Sequence, residues 1–221
     1  MSKDWNQAYA NNKTPWDKGA ASPALEEWLG KGGNALMGKG LVLGCGLGHD
    51  VRLLAKSAKS AKSAKEGNRG NGAEKNFEVI GIDFSQIAIE KAEALRSSSL
   101  ESYLCYDFFK YAEQPDQSNS CDWAFEHTFF CAIPKELRNT YVDCLVQLLK
   151  PKAFFLAIFF IEDPKASAAS ASSDGPPFKI KKEAIDAYFE EHFNLIDAYT
   201  PKRHYKSRPY GSEYVCLMQL K

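Results

Sequence analysis

The chain has 221 residues, 44% of them hydrophobic and 25% charged, which is a size and composition typical of one globular domain. Lysine plus arginine total 28, and aspartate plus glutamate also total 28, so the formal net charge is zero. Nucleic-acid-binding proteins usually carry a basic excess that neutralises phosphates, so we expect a small-molecule substrate and no nucleic-acid partner. We also expect a monomer, with a single domain over residues 1–221.

The sequence indicates neither a metal site nor a membrane segment. The six cysteines include no Cys-x-x-Cys pair and the four histidines show no ligand spacing, so we expect reduced thiols and no metal. The N-terminus is polar, unlike a secretory signal, and the longest apolar run, Ala153 to Ile161, is too short to span a bilayer. These features predict a cytoplasmic protein without a membrane partner.

Apolar segments with strand character alternate with helical segments along the chain. Helical spacing or helix-start signals occur over residues 51–58, after Ser85, from Pro134 and over residues 180–189. Seven segments have strand character: residues 41–43, 77–82, 102–106, 123–125, 153–161, 194–199 and 213–220. The alternation predicts an α/β fold with a doubly wound, mostly parallel sheet, helices on both faces and an antiparallel last strand.

Two segments of low complexity interrupt this alternation. Residues 56–76 begin with Lys-Ser-Ala repeats and continue with glycine and asparagine, which favours a surface insertion whose first part prolongs a helix. The alternative interpretation of the lysines is a basic arm that binds an anionic partner. Residues 165–178 are rich in alanine and serine and end in Gly-Pro-Pro-Phe, so we interpret them as a candidate lid loop.

A glycine-rich loop follows the first predicted strand. Gly44, Gly46 and Gly48 lack a Cβ, so a ligand can approach the backbone closely there, and the next helix offers free N–H donors at its start. A dinucleotide site of an NAD-dependent oxidoreductase would need glycine where His49 stands. The observed GxGxG spacing is instead similar to that of class I S-adenosylmethionine-dependent methyltransferases. A glycine turn without a ligand is the alternative.

Acidic residues at the ends of the next two strands fit a nucleoside. Asp83 ends the second strand, where a carboxylate can accept both ribose hydroxyls of an adenosine, and Phe84 follows it as a further cofactor-binding candidate. Asp107 ends the third strand, where its carboxylate can meet the adenine amino group, and Phe108 beside it can cover the ring. The glycine loop and the two acids thus occur at three strand ends in the order that an adenosine site needs.

Further motifs carry a resemblance to a known family. TPWDKG at residues 14–19 precedes the glycine loop, and FFCAI at residues 129–133 follows the fourth strand. LKP at residues 149–151 precedes the fifth strand, and GPPF at residues 175–178 follows it. Together these motifs resemble the thiopurine S-methyltransferase family, and most closely its halide, thiocyanate and thiol methyltransferases. The resemblance implies a Rossmann-like class I methyltransferase fold with a seven-stranded sheet.

The resemblance also implies site residues. It implies that residues 1–35 cover the cofactor, S-adenosylmethionine, and that Trp5, Tyr9 and Trp16 contact it. Tyr9 stands where the family often has a second tryptophan. His127 occupies a position that is tyrosine in the plant proteins, so we expect it to line the methyl-transfer chamber and consider it a catalytic candidate. Phe160 also replaces a tyrosine of the plant proteins.

The implied chemistry needs a dry, apolar chamber and neither a metal nor a strong base, because a thiolate is itself the reactive form. Candidate walls of this chamber are the aromatic residues Phe129, Phe130, Phe160 and Phe178. We therefore predict in-line methyl transfer from S-adenosylmethionine to a small thiol or sulfide, with S-adenosylhomocysteine as the product. The alternatives are a halide or thiocyanate acceptor, and a non-catalytic protein that only binds S-adenosylmethionine.

Overall fold

The computed structural model describes residues 4–33, 36–66, 77–162 and 175–221, with side chains left out over residues 59–66. The strands in these ranges are β1 Lys39–Leu43, β2 Glu78–Asp83, β3 Glu101–Cys105, β4 Cys121–His127, β5 Leu149–Phe160, β6 Phe193–Tyr199 and β7 Glu213–Leu220. The α-helices are α1 Trp5–Ala10, α2 Pro23–Gly30, α3 His49–Glu66, α4 Gln86–Ala94, α5 Phe108–Ala112, α6 Arg138–Leu148 and α7 Asp186–Phe189.

The strands form one seven-stranded sheet in the order β3-β2-β1-β4-β5-β7-β6. Strands β1 to β5 pair with one another in parallel, whereas β7 runs antiparallel to both β5 and β6. The predicted mostly parallel sheet with an antiparallel last strand is therefore confirmed. Because parallel strands carry their carboxyl ends to one edge, the segments that follow β1, β2, β3 and β4 meet there.

Alternating side chains of the central strand β4 enter two cores, one on each face of the sheet. Trp123 and Phe125 pack with Val51 of α3 and Leu25 of α2 in one core. Ala124, between them, belongs to the other core, which also contains buried residues of α5, α6 and α7. The helices therefore cover both faces, as the sequence predicts for a doubly wound sheet.

Most of the predicted helices are present in the structure, but the prediction of one continuous helix over residues 180–189 is wrong. Ile180 forms an isolated parallel bridge with Ile161, and the chain then makes a 3-10 turn at Lys182–Ala184 before the single turn of α7. Burial of Ile180 beside the sheet, at 4% exposure, holds this part of the segment extended. By contrast, the Ser85 hydroxyl accepts the Ala88 N–H and begins α4 as predicted.

The two low-complexity segments lie partly outside the described residues. Helix α3 continues through the Lys-Ser-Ala repeats to Glu66, which confirms that the first part of the insertion prolongs a helix. Residues 67–76 and 163–174, which include most of the candidate lid, are outside the described ranges. Among the helices of the described ranges, none is both long and apolar enough to cross a membrane.

Candidate active site

The glycine loop between β1 and α3 adopts a backbone conformation that favours glycine at each of its three glycines. Gly44, Gly46 and Gly48 have φ angles of 58°, 52° and 72°. A Cβ at Gly44 would overlap the ring of Phe129, so that ring lies directly on the loop. The loop is thus shaped by its own backbone and bordered on one side by an aromatic residue that follows β4.

Asp83 ties the end of β2 to this loop. One carboxylate oxygen accepts the Gly46 N–H at 3.0 Å and the other accepts the Ser85 N–H at 2.9 Å. Burial raises the pKa of Asp83, although the N–H donors of Ser85 and Gly46 oppose this rise. Phe84 follows with 52% of its surface exposed. A half-buried acid and an exposed aromatic ring therefore stand side by side next to the glycine loop.

The second predicted acid–aromatic pair is oriented differently. Asp107 caps α5 by accepting the Phe109 N–H at 2.9 Å. Phe108 is only 4% exposed, and its ring centroid lies 5.3 Å from that of Tyr141 and 5.8 Å from that of Phe129. The expectation that the Phe108 ring covers the adenine is corrected by this packing, since α5 turns the ring into the core against α6.

The N-terminal aromatic residues gather over the glycine loop. Trp16 donates its indole N–H to the Tyr9 hydroxyl at 3.1 Å, and the Trp5 and Trp16 ring centroids are 4.9 Å apart. A Cβ at Gly46 would lie 2.7 Å from the Tyr9 hydroxyl oxygen. The described part of residues 1–35 therefore includes a segment packed on the loop, at the place where the resemblance implies a cover.

Polar contacts fix helix α1 to helix α4 beside the loop. The Asn6 side-chain oxygen accepts the Ser85 hydroxyl at 2.9 Å and the Ile87 N–H at 3.3 Å. The Lys91 ammonium donates to the Tyr9 carbonyl and to the Asn12 side chain, both at 3.0 Å. The helix that carries Trp5 and Tyr9 is thus held by α4, the helix that follows Asp83.

On the opposite side of the loop, His127 lies in a buried network of charged side chains. Its Nδ1 is 3.1 Å from an Asp50 carboxylate oxygen, and its Nε2 is 3.2 Å from a Glu213 carboxylate oxygen. That Glu213 oxygen also accepts from Arg208, whose Nη1 is 3.0 Å from the same Nε2. The Tyr205 ring stacks on the imidazole with 6.1 Å between the centroids.

The network holds a proton on His127. Burial alone lowers the pKa of His127, but the hydrogen bonds and charges of Asp50 and Glu213 outweigh it and raise that pKa to about 9. Burial likewise raises the pKa of Glu213, but His127 and Arg208 outweigh it and lower that pKa below its usual range. At neutral pH His127 is therefore a cation, and the network balances two cations against two carboxylates.

The four predicted aromatic walls occupy different surroundings. Phe129 is half-buried against Gly44, whereas Phe130 is 1% exposed within the core, so Phe130 is corrected to a core residue. The Arg208 guanidinium carbon lies 5.1 Å from the centroid of the Phe160 ring. The Phe178 N–H donates to the Cys131 carbonyl at 2.6 Å, which ties the GPPF motif to the FFCAI motif.

The two sides share one cleft of about 80 Å³ at the carboxyl edge of β1 and β4. Its lining includes Tyr9, Trp16, the glycine loop, His127 and Tyr205. The sequence alone gives no role to Asp50, Glu213 or Tyr205; it places Arg208, with Tyr210, near a predicted strand turn from which the side chain could reach the acceptor, although spacing alone cannot show this. Asp50 lies two residues after the last glycine of the motif, which is a usable signal. The other three residues have no such signal, because only folding brings them to β4. Within the described ranges, no group of three or more histidine, cysteine, aspartate or glutamate side chains is arranged to hold a metal ion.

Comparison with known proteins identifies the family. The family model for thiopurine S-methyltransferase matches residues 1–63 and 71–208. The chain belongs to the thiopurine S-methyltransferase family. The resemblance inferred from the motifs is thereby confirmed, and membership places the chain among S-adenosylmethionine-dependent S-methyltransferases.

Curated relatives share much of the chain. A protein of Brassica oleracea named thiocyanate methyltransferase 1 is 29% identical over 188 residues, covering 83% of this chain and 69% of the relative. A probable thiol methyltransferase 2 of Arabidopsis thaliana is 27% identical over 180 residues, covering 80% of this chain and 66% of the relative. The chain thus spans about two thirds of the length of these relatives.

Solved structures confirm the class I methyltransferase fold. The crystal structure of 1,6-didemethyltoxoflavin-N1-methyltransferase from Burkholderia thailandensis, with bound S-adenosylhomocysteine, has a TM-score of 0.64 at 17% identity. The structural match covers 99% of this chain and 86% of the Burkholderia chain. S-adenosylmethionine as the cofactor is therefore consistent with the family, with this fold and with the glycine loop, whose φ angles are positive and which lies beside Asp83 and Phe84.

Proposed function

We propose that the protein transfers a methyl group from S-adenosylmethionine to the sulfur of a small thiol or sulfide. The observation that carries the proposal is the cleft that the glycine loop shares with His127, together with the Phe129 ring that packs on Gly44 of this loop. The printed names of the relatives, a thiol and a thiocyanate methyltransferase, support sulfur chemistry at this position. A compact apolar wall beside a cation suits a small acceptor better than a large one.

We assign the cofactor to the loop side of the cleft. Gly44, Gly46 and Gly48 offer a backbone that a ligand approaches closely, and Asp83 offers carboxylate lone pairs to ribose hydroxyls. Phe84, exposed beside the acid, would cover the adenine ring. The Asp107 carboxylate would meet the adenine amino group. When bound, S-adenosylmethionine supplies a methyl group that is already activated on a sulfonium.

The aromatic cover would complete the cofactor site. Trp5, Tyr9 and Trp16 form edge-to-face contacts over the loop, and their ring faces suit a cationic sulfonium. Because α1 is held by Asn6 and Lys91, the cover would also exclude water from the chamber.

His127 would line the acceptor site and would not act as a general base. A group that already holds a proton at neutral pH, with its pKa raised to about 9, cannot remove one from a thiol. The acceptor would instead react as its thiolate or hydrosulfide, which is the nucleophilic form. Phe129 and Phe160 would exclude water at this point, and Phe178 would close the chamber from the GPPF side.

The test combines binding with product analysis. We expect S-adenosylhomocysteine to bind in a calorimetric titration, and the headspace above enzyme and S-adenosylmethionine to contain methanethiol from sulfide and dimethyl sulfide from methanethiol. Iodide and thiocyanate are offered in parallel, since one relative is named a thiocyanate methyltransferase. Methylation of iodide or thiocyanate alone would transfer the assignment to those acceptors, and binding without any product would contradict methyl transfer to all of them.

A further inference from the structure

A second buried acid, Glu126, lies one residue before His127 and has no role in the site as described above. Its side chain is fully buried at the carboxyl end of β4. One carboxylate oxygen accepts two backbone N–H groups, from Phe129 at 2.7 Å and from Phe130 at 3.1 Å. A buried carboxylate that binds two successive N–H groups fixes the course of the chain it binds.

The turn that Glu126 binds is strained. Thr128 has a φ of 63°, a left-handed conformation that is unfavourable for a β-branched residue by about 1–2 kcal/mol. The Cys131 thiol adds a contact to the Thr128 carbonyl at 3.2 Å. The charge-assisted bonds of Glu126 oppose the strain, because a relaxed turn would leave a buried carboxylate without donors.

The strained turn determines where the Phe129 ring lies. Its backbone N–H is held by Glu126, and its ring lies on Gly44 of the cofactor loop, where any Cβ would overlap it. A change of the turn would therefore move the ring that packs on Gly44, at the border of the cleft that the glycine loop shares with His127. Glu126 acts on the site through this ring, since the carboxylate itself is enclosed.

The other carboxylate oxygen makes no hydrogen bond among the described residues, and neither do the Tyr141 hydroxyl and the Arg138 Nε. Burial raises the pKa of Glu126 to about 7, against the opposing effect of the Phe130 and Phe129 N–H groups. The acid can thus change its charge near neutral pH. The charged or titratable groups that interact with it electrostatically come from β4, the following turn, α6 and β7: His127, Cys131, Arg138, Tyr141 and Cys216.

We infer that Glu126 is a positioning residue for methyl transfer, which as a carboxylate holds the turn at 128–130 and thereby seats Phe129 against the cofactor loop. The inference rests on the proposed function for its effect on catalysis. Its structural part, the dependence of the turn on the charge of this carboxyl, stands without any assumption about the acceptor.

The activity test compares E126Q with E101Q. Glu101 is a matched control because it is also a buried glutamate of a strand, and its carboxylate also accepts a backbone N–H, that of Ser97 at 2.6 Å. It lies in β3, at the edge of the parallel part of the sheet. We expect E126Q to lower kcat roughly tenfold above pH 8, with less than about a twofold change in the affinity for S-adenosylhomocysteine. As the pH falls through about 7, the ratio of the E126Q kcat to the wild-type kcat should rise, whereas the ratio of the E101Q kcat to the wild-type kcat should stay constant, because ionisation of the acceptor affects all three enzymes alike.

The structural test uses nuclear magnetic resonance of the same proteins. In the wild type, the Phe129 and Phe130 amide signals should titrate together near pH 7, and in E126Q this titration should be absent. If the wild type methylates no acceptor, the proposed function fails while the amide titration still decides the role of Glu126. If E126Q folds poorly, the wild-type titration alone decides it. Amide signals that do not change between pH 5.5 and 8.5, or an E126Q enzyme with the wild-type kcat and pH profile, would overturn the inference.

Discussion

The two sides of the cleft are built in different ways. The cofactor side consists of consecutive residues, the glycine loop, together with an acid that binds it through the Gly46 N–H. The proposed acceptor side joins three separate parts of the chain through their side chains, namely Asp50, His127, and the pair Arg208 and Glu213. A site made of backbone groups depends on local conformation, whereas a site made of side chains depends on the balance of buried charges. We therefore expect substitutions to impair the two sides by different mechanisms, through the backbone conformation on the cofactor side and through the charge balance on the acceptor side.

The largest effect is expected where the two sides touch, at Gly44. The variant G44A should lower the free energy of unfolding by about 2–4 kcal/mol, from a positive φ and an overlap with Phe129. The control G32A has a φ of 86° and open space around its Cβ, so it should lose only about 1 kcal/mol. Urea unfolding measures both. The double variant G44A/F129A should recover binding of S-adenosylhomocysteine relative to G44A, and equal losses in G44A and G32A would refute the contact.

The contrast between the two sides also explains what the sequence alone could predict. Local signals placed β7 at the residues observed and identified the Ser85 cap and the glycine loop, because each depends on a few neighbouring residues. Phe84 and Phe108 each follow an acid at the end of a strand, yet one is 52% exposed and the other 4%. Packing of α5 against α6 makes that difference, and no neighbouring residue encodes it.

The acceptor network was beyond sequence reasoning for the same reason. Glu213 is the first residue of β7 and Arg208 lies five residues before it, and neither position has a pattern that points to β4. They reach His127 because β7 pairs antiparallel with β5, which itself pairs with β4. The long-range pairing of strands, and not a motif, creates the charge balance.

The second prediction concerns the pH dependence of stability on the acceptor side. Because the pKa of His127 is raised to about 9 in the folded state and is near 6.5 in an unfolded chain, protonated His127 stabilises the fold fully below about pH 6.5. This stabilisation, about 3 kcal/mol, is lost as the pH rises through 9. The variant H127Q should lack this alkaline loss, as measured by urea unfolding at pH 6, 7.5 and 9.5. The control H192Q, at a residue outside the network, should keep it; an unchanged slope in H127Q would remove His127 as the responsible group.

The third prediction concerns the cofactor side. We expect the affinity for S-adenosylhomocysteine to depend less on pH than on the lone pairs of the Asp83 carboxylate, which accept hydrogen bonds. In D83N an amide replaces the carboxylate that accepts from Gly46 and Ser85, which should weaken binding of S-adenosylhomocysteine by about 2 kcal/mol. Asp122 provides a control at the opposite end of the sheet, where it accepts the Lys39 N–H at 3.0 Å. Calorimetry should show wild-type affinity for D122N, and the same affinity for D83N would exclude Asp83 from the cofactor site.

The smallest effect is expected from weakening the attachment of the aromatic cover, because Asn6 acts on the cofactor side indirectly, through its contacts with the start of helix α4. The variant N6A loses the contacts to the Ser85 hydroxyl and the Ile87 N–H, while the Lys91 contact to the Tyr9 carbonyl remains. We expect binding of S-adenosylhomocysteine to weaken by about 1 kcal/mol, the usual value of a hydrogen bond, mainly through faster dissociation. The exposed Asn11, at the end of the same helix, supplies the control N11A. Stopped-flow measurements separate the two rate constants: an unchanged dissociation rate in N6A would mean that α1 does not need this attachment to cover the loop.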